Sequence, residues 1–187
     1  MRLSPPIGSE DRIMAIGDDL APELVKAGSA LSHAIYKHSK LSLREFEGAR
    51  ARTAEINGCL VCRTFRAKRD LVSFFDSQGV EHTRSVIDNG DAPDEAFYLN
   101  VSNWKTDPRY SERERIAIEY AEGFGLDPQG LAKNEDFWKR AKAVFTDYEI
   151  IDLSYCTAAW VGMGRVAHVL GLDNACMLPG AEAQAAE

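Results

Sequence analysis

SLREFEGARARTAEINGCLVCRTFR, from Ser42 to Arg66, is the stretch on which the reading of this 187-residue chain turns. Ser42 followed three residues later by Glu45 has the form of a capping box, in which each side chain satisfies an orphan N–H of the other residue. Phe46, Ala49, Thr53 and Ile56 then recur at helical spacing on one face. Asn57-Gly58 ends the pattern, and Gly58 can take the left-handed conformation that closes a helix. A new helix is expected to begin at Cys59 and to carry Cys62, Phe65, Leu71, Val72 and Phe75 inward before stopping near Gly79. Two cysteines, spaced C-x-x-C, therefore open a helix.

Working outward, the same periodicity dominates and alternating strand patterns are scarce, so the expected fold is all-α and single-domain. Pro22 and Glu23 suit a helix start, and Leu24, Ala27, Leu31, Ala34 and Ile35 give a first helix over 22–36. Ser111 with Glu114 repeats the capping box ahead of Ile116, Ala117, Tyr120, Ala121 and Phe124, with a stop at Gly125. Asn134 caps a short helix bearing Phe137, Trp138, Ala141 and Val144. Thr146 with Glu149 opens the most apolar helix, through Leu153, Ala158, Val161, Val166 and Leu170 to Gly171, which is expected to be central and most buried. From His82 to Tyr110 the pattern weakens around Asn89-Gly90, Pro93 and Asp107-Pro108, leaving short helices near Val86 and Phe97. The expected organisation is an arm over 1–20, one helical domain over 21–172 and a frayed tail over 173–187.

Composition narrows the function. With 22 Lys and Arg against 29 Asp and Glu, the formal charge is −7, which argues against a nucleic-acid or anionic-lipid partner. The first twenty residues lack the apolar run of a signal peptide and no eighteen apolar residues run together, so a cytoplasmic protein without membrane contact is expected. In a reducing compartment a close cysteine pair is a redox or metal device more often than a staple.

Residues three apart at a helix start bring their α-carbons inside the roughly 4.4–6.8 Å window of a disulfide. The helix N-terminus contributes about half a positive charge and favours thiolate over thiol. Arg63 lies four residues after Cys59 and Arg66 four after Cys62, adding cationic charge one turn away. In the plainer alternative these arginines form a solvated face paired with Asp70, and the cysteines fill the core. A zinc site would need two more ligands, and Cys156, Cys176, His82 and His168 occur singly. His168 is read as a hydrogen-bonded structural histidine, His33 and His38 as solvent-facing, and Cys156 as core.

On these residues the segment from Arg44 to Arg66 resembles the signature of the carboxymuconolactone decarboxylase superfamily, specifically its alkylhydroperoxidase D-like branch. A glutamate stands twelve residues before the first cysteine, here Glu47, with Arg52 and Asn57-Gly58 in register. SERERIAIEYAEGF and FTDYEIIDLSYCTAAWVGMGRVAHVLGL are similar to the family's closing helices, so the likeness spans about Pro22 to Leu172. It implies an all-helical fold whose subunits join through helices into trimers or hexamers, and thiol-dependent peroxidase or disulfide-exchange chemistry without metal or cofactor. By the same resemblance Cys62 attacks the hydroperoxide and Cys59 resolves the sulfenic acid as a disulfide, with a dithiol or disulfide reductase restoring the pair.

One position departs from the family. Its histidine, four residues after the second cysteine, is Arg66 here, and the position between the cysteines that is histidine in some members is Val61. Arginine stays protonated and cannot take a proton from Cys62, although it can stabilise a thiolate. Glu47 is then expected either to hold the Arg66 guanidinium beside the thiols or to be an ordinary surface glutamate. Three functions follow: the thiol peroxidase; a lactone decarboxylase, which would not need the cysteine pair; and a redox-sensing or scaffold oligomer, favoured by the lost histidine.

Overall fold

A computed structural model describes residue 2, residues 20–77 and residues 79–173. Every regular element among them is helical: α1 (Pro22–His38), α2 (Leu43–Asn57), α3 (Leu60–Thr64), α4 (Ala67–Ser77), α5 (Glu95–Leu99), α6 (Glu112–Leu126), α7 (Pro128–Lys133), α8 (Glu135–Val144) and α9 (Asp147–Leu170), with 3-10 turns at Val86–Asp88 and Val101–Asn103. The arm over 1–20 and the tail over 173–187 lie almost wholly outside the described residues, as does Cys176.

All three capping boxes form. Ser42 with Glu45, Ser111 with Glu114 and Thr146 with Glu149 each exchange both hydrogen bonds, starting α2, α6 and α9. Gly58 and Gly171 both adopt the left-handed conformation and close α2 and α9. Asn134 caps α8 through the amide of Phe137. α1 runs half a turn past the expected Tyr36, because Ser39 still donates its amide to the Ile35 carbonyl. α6 ends at Leu126 rather than at Gly125, and Asp127 both closes it and caps α7, a helix too short to show a periodicity.

α2, not α9, is the buried centre of the fold. It packs most extensively against α6 and next against α9. Phe46 and Ala49 look into the main core with Leu71, Phe75, Ile116, Phe137 and Leu153. Ala51 belongs to a second cluster built from Phe97, Tyr98, Val101, Trp104, Tyr110 and Ile118. That cluster orders the motif-poor segment before α6: the Tyr110 hydroxyl donates to the Phe97 carbonyl at 2.5 Å, and Arg115 gathers the carbonyls of Trp104, Lys105 and Asp107. α9 keeps Leu153, Cys156 and Trp160 inside, but Tyr148, Ile151, Tyr155, Met163, Val166 and Val169 are exposed. The expectation that its apolar character would place it at the centre is corrected accordingly. No helix of the described residues is long and apolar enough to cross a membrane.

Candidate functional site

The cysteine pair sits where α2 hands over to α3. Gly58 turns the chain with φ +69°, and Cys59 follows as the N-cap of α3, its sulfur accepting the Cys62 amide at 3.3 Å. The two sulfurs are joined as a disulfide with the α-carbons 5.3 Å apart, as the spacing anticipates. Cys59 is fully buried, whereas Cys62 is only partly covered. Cys62 is thus the more exposed residue of the pair.

The expected long helix after Cys59 is two helices. α3 spans five residues and stops at Phe65, whose ψ of 136° is extended, before α4 begins at Ala67. So short a helix aligns few peptide dipoles, which weakens the dipole contribution expected for the thiols. The break exists because a side chain twelve residues upstream replaces helical hydrogen bonds: Arg50 donates to the carbonyls of Cys62 and Phe65, both at 2.6 Å. Its remaining donors form a two-pronged pair with Glu47 at 2.7 and 3.0 Å. Glu47 and Arg50 are both buried, at 0% and 3% exposure, so each neutralises a charge that would be costly alone. Burial opposes the Arg50 charge, but Glu47 outweighs it and keeps the guanidinium firmly protonated. Burial, followed by the Glu47 charge, pushes the Tyr98 phenol well up.

The expected Glu47–Arg66 pairing is not made. Arg66 is buried and faces the other way: it pairs with Glu95 at 2.9 Å, stacks 3.9 Å above the Tyr98 ring and donates to the carbonyls of Arg63 and Phe65. Glu47 reaches the thiol helix through Arg50, and both arginines meet at Phe65. Asp70 takes the Arg66 amide and the Arg69 guanidinium rather than the Arg66 side chain, and Arg63 is exposed. Arg50 escaped the sequence reading although its i+3 spacing from Glu47 was a legible signal; Glu95 and Tyr98 lie in the segment without a motif.

On the opposite flank α9 closes over the turn. Asn57 donates its side-chain amide to the Trp160 carbonyl at 2.9 Å, an approach that Gly164 permits, since a β-carbon there would lie 2.4 Å from Asn57 Nδ2. His168 covers Gly58, with Nε2 3.1 Å from where a β-carbon would stand. His168 Nδ1 lies 2.9 Å from Oδ2 of buried Asp173, which also accepts the Leu60 amide at 3.1 Å. Burial raises the cost of ionising Asp173, yet His168 and the Leu60 amide outweigh it and hold the carboxyl below its ordinary value.

The other histidines and cysteines fall as follows. His38 is exposed, but His33 is partly buried and packs edge-on against Phe74 and Phe75, contrary to the solvent-facing expectation. Cys156 is a buried core thiol that donates to Asp152, and burial, then Asp152, pushes it well up. Among the described residues no three His, Cys, Asp or Glu side chains gather closely enough to hold a metal ion.

No family model and no curated protein matches the chain. A solved structure does: a protein of unknown function from Agrobacterium tumefaciens, given a suggested role as the antioxidant defence protein AhpD, is similar with a TM-score of 0.59 at 22% identity. The likeness covers 81% of this chain and 90% of that one. The chain thus has the all-α, AhpD-like fold, and at this identity the similarity speaks for backbone path alone.

Proposed function

We propose that the chain is a thiol-dependent peroxidase or disulfide oxidoreductase working through Cys62 and Cys59. The Cys62 thiolate attacks the outer oxygen of a hydroperoxide, the O–O bond breaks, and the alkoxide takes a proton to leave as alcohol, with Cys62 left as sulfenic acid. The Cys59 thiol then attacks Cys62, forming the S–S bond and releasing water. A dithiol reductant returns both thiols by exchange, in a reducing cytoplasm. The observation carrying this reading is the asymmetry of the pair: two cysteines at bridging distance, Cys62 partly exposed and Cys59 fully buried.

Glu47 and Arg66 serve as positioning residues. Glu47 acts through Arg50 to hold the Cys62 carbonyl, while Arg66 holds the break behind it and supplies fixed positive charge. Stopped-flow mixing of the reduced protein with hydrogen peroxide or cumene hydroperoxide tests the reading. Oxidation much faster than free cysteine, lost in Cys62→Ser, is the expected result; a rate no faster than free cysteine overturns the peroxidase assignment. A redox-sensing role is the second reading, favoured by one observation: Arg66 is tied to Glu95 and Tyr98 where a proton relay would stand. Exchange with a dithiol in the absence of peroxide reactivity would select it.

Self-association belongs to the same proposal. The stripe of Tyr148, Ile151, Tyr155, Val166 and Val169 lies along one side of α9 at spacings of three, four and eleven, as a helix–helix seam requires, and a second copy of the chain is its proposed cover.

A further inference from the structure

The residues on either side of Cys59 are both held by one couple that the thiol chemistry above does not use. His168 lies against Gly58, the residue before the cysteine, and Asp173 accepts the amide of Leu60, the residue after it. The two are joined to each other at 2.9 Å through Nδ1, which leaves Nε2 on the Gly58 side. Asp173 is 1% exposed, whereas the His168 side chain is 49% exposed and in contact with solvent. A buried carboxylate coupled to a solvent-exchanging imidazole is an arrangement that passes charge changes from water into the interior.

We propose that His168 and Asp173 form the positioning couple of the thiol pair, setting the proton affinity of the reduced cysteines through charge held at both neighbours of Cys59. This rests on the pair cycling between dithiol and disulfide. Reduction of the bond takes up two electrons, and each sulfur then carries a proton or a negative charge. An anionic Asp173 beside the Leu60 amide disfavours that negative charge, and the His168 ring, bonded to the carboxylate through Nδ1, draws part of its field away from the thiols. The couple thereby acts on the thiols separately from Arg66, whose charge is fixed.

Among the described residues the charged neighbours are engaged elsewhere or exposed, and Arg2 meets the end of α9 through its backbone amide, which donates to the Leu170 carbonyl. On α9, Arg165 is turned to the Gly125 carbonyl; on α2, Glu55 is paired with Arg52; on α3, Arg63 is exposed. Asn57 and Gly58, which face His168 from α2, carry no charge.

The test is the thiolate absorbance of the fully reduced protein, read against pH with no peroxide present, in a Cys156→Ser, Cys176→Ser background that leaves Cys59 and Cys62 as the titrating thiols, taken as the reference chain and with His168→Gln or Asp173→Asn added. Both substitutions keep a polar group of similar shape, and a thermal melt of each confirms the fold. His168→Gln is expected to raise the apparent thiol pKa and Asp173→Asn to lower it, each by about half a pH unit or more, a threefold change in thiolate fraction. Curves superimposable on the reference one overturn the proposal, and so do shifts of the same sign in both variants. A chain that proves inactive toward peroxides but shows the opposed shifts keeps this inference while losing the peroxidase reading.

Discussion

α2 and α9 exchange the places their compositions suggest. α2 contains Arg44, Glu45, Glu47, Arg50, Arg52 and Glu55, yet eleven of its fifteen residues are buried; α9 is the most apolar helix, yet seven of its twenty-four are. The charges of α2 are tolerated because each finds an opposite one: Arg44 with Glu114, Glu45 with Arg113, Glu47 with Arg50, Arg52 with Glu55 and Glu122. Burial follows from what a side chain can pair with as well as from its transfer free energy. A polar helix at the centre also puts hydrogen-bonding groups where a redox turn needs its backbone held, which an aliphatic helix could not do.

The largest effect should come from breaking that pairing at its most buried member. Glu47→Gln leaves Arg50 charged in the interior, and a loss of about 3 kcal/mol or more is expected. Urea unfolding measures it as a lowered midpoint at unchanged slope. Combining Glu47→Leu with Arg50→Met removes both charges and should recover part of the loss. Recovery stays incomplete because the carbonyls of Cys62 and Phe65 then lose their donor. A loss under about 1 kcal/mol in Glu47→Gln would mean that the pair is incidental to the centre of the fold.

The joint between the two helices gives the next effect, and its sign is diagnostic. Gly→Ala inside a helix ordinarily stabilises by about 0.5–1 kcal/mol. At Gly164 the new β-carbon would meet Asn57 Nδ2, so Gly164→Ala should instead destabilise by about 1–2 kcal/mol as Asn57 gives up the Trp160 carbonyl. A stabilised variant would show that α9 can slide without disturbing the turn that presents the cysteines.

How far these features could be read beforehand depends on their range. Capping boxes, Gly58 and Gly171 are local chemistry within four residues, and all were legible. The cysteine pair was legible for the same reason. The division of the helix after Cys59 was not, because Arg50 imposes it from twelve and fifteen residues away, and no periodicity records a guanidinium reaching across. Neither alternative for Glu47, a partner to Arg66 or an ordinary surface glutamate, holds: it is fully buried against Arg50, and spacing places Arg50 one turn on without saying which arginine is inside. His168 is hydrogen-bonded, as expected, but its partner Asp173 was not legible, because the contact arises where Gly171 turns the chain and brings Asp173 back to the Leu60 amide.

Acid should act on both regions in the same direction. Burial disfavours the charge of Glu122, but Trp104 and Arg52 of α2 outweigh it; burial likewise disfavours that of Glu149 at the start of α9, where Thr146 and Arg113 outweigh it. With Asp173, these carboxyls bind protons less readily folded than unfolded. Their stabilisation is complete above the unfolded values near about 4 and is lost as pH falls through the lower folded ones. Stability followed by denaturant midpoint should be level from about pH 5 upward in this respect and fall below about pH 4, and Glu122→Gln should flatten the fall. An unchanged acid limb in that variant would remove Glu122 from the account.

The smallest effect on the chain itself is expected on the outer side of α9. Ile151 and Tyr155 are 59% and 64% exposed, so a charge placed there removes little packing. Ile151→Asp with Tyr155→Asp should leave unfolding of the isolated subunit within about 0.5 kcal/mol of the native chain. Assembly should respond quite differently, because a carboxylate on each copy would meet its like across a seam that excludes water. Sedimentation velocity over a range of concentrations separates the two quantities. A native chain larger than one subunit that becomes monomeric in the double variant supports a second copy as the cover of this face, and explains why the most apolar helix lies at the edge of the subunit: its burial is completed between copies. A native chain that sediments as a monomer at every concentration would leave α9 an exposed helix, and the contrast with α2 would then rest on internal pairing alone.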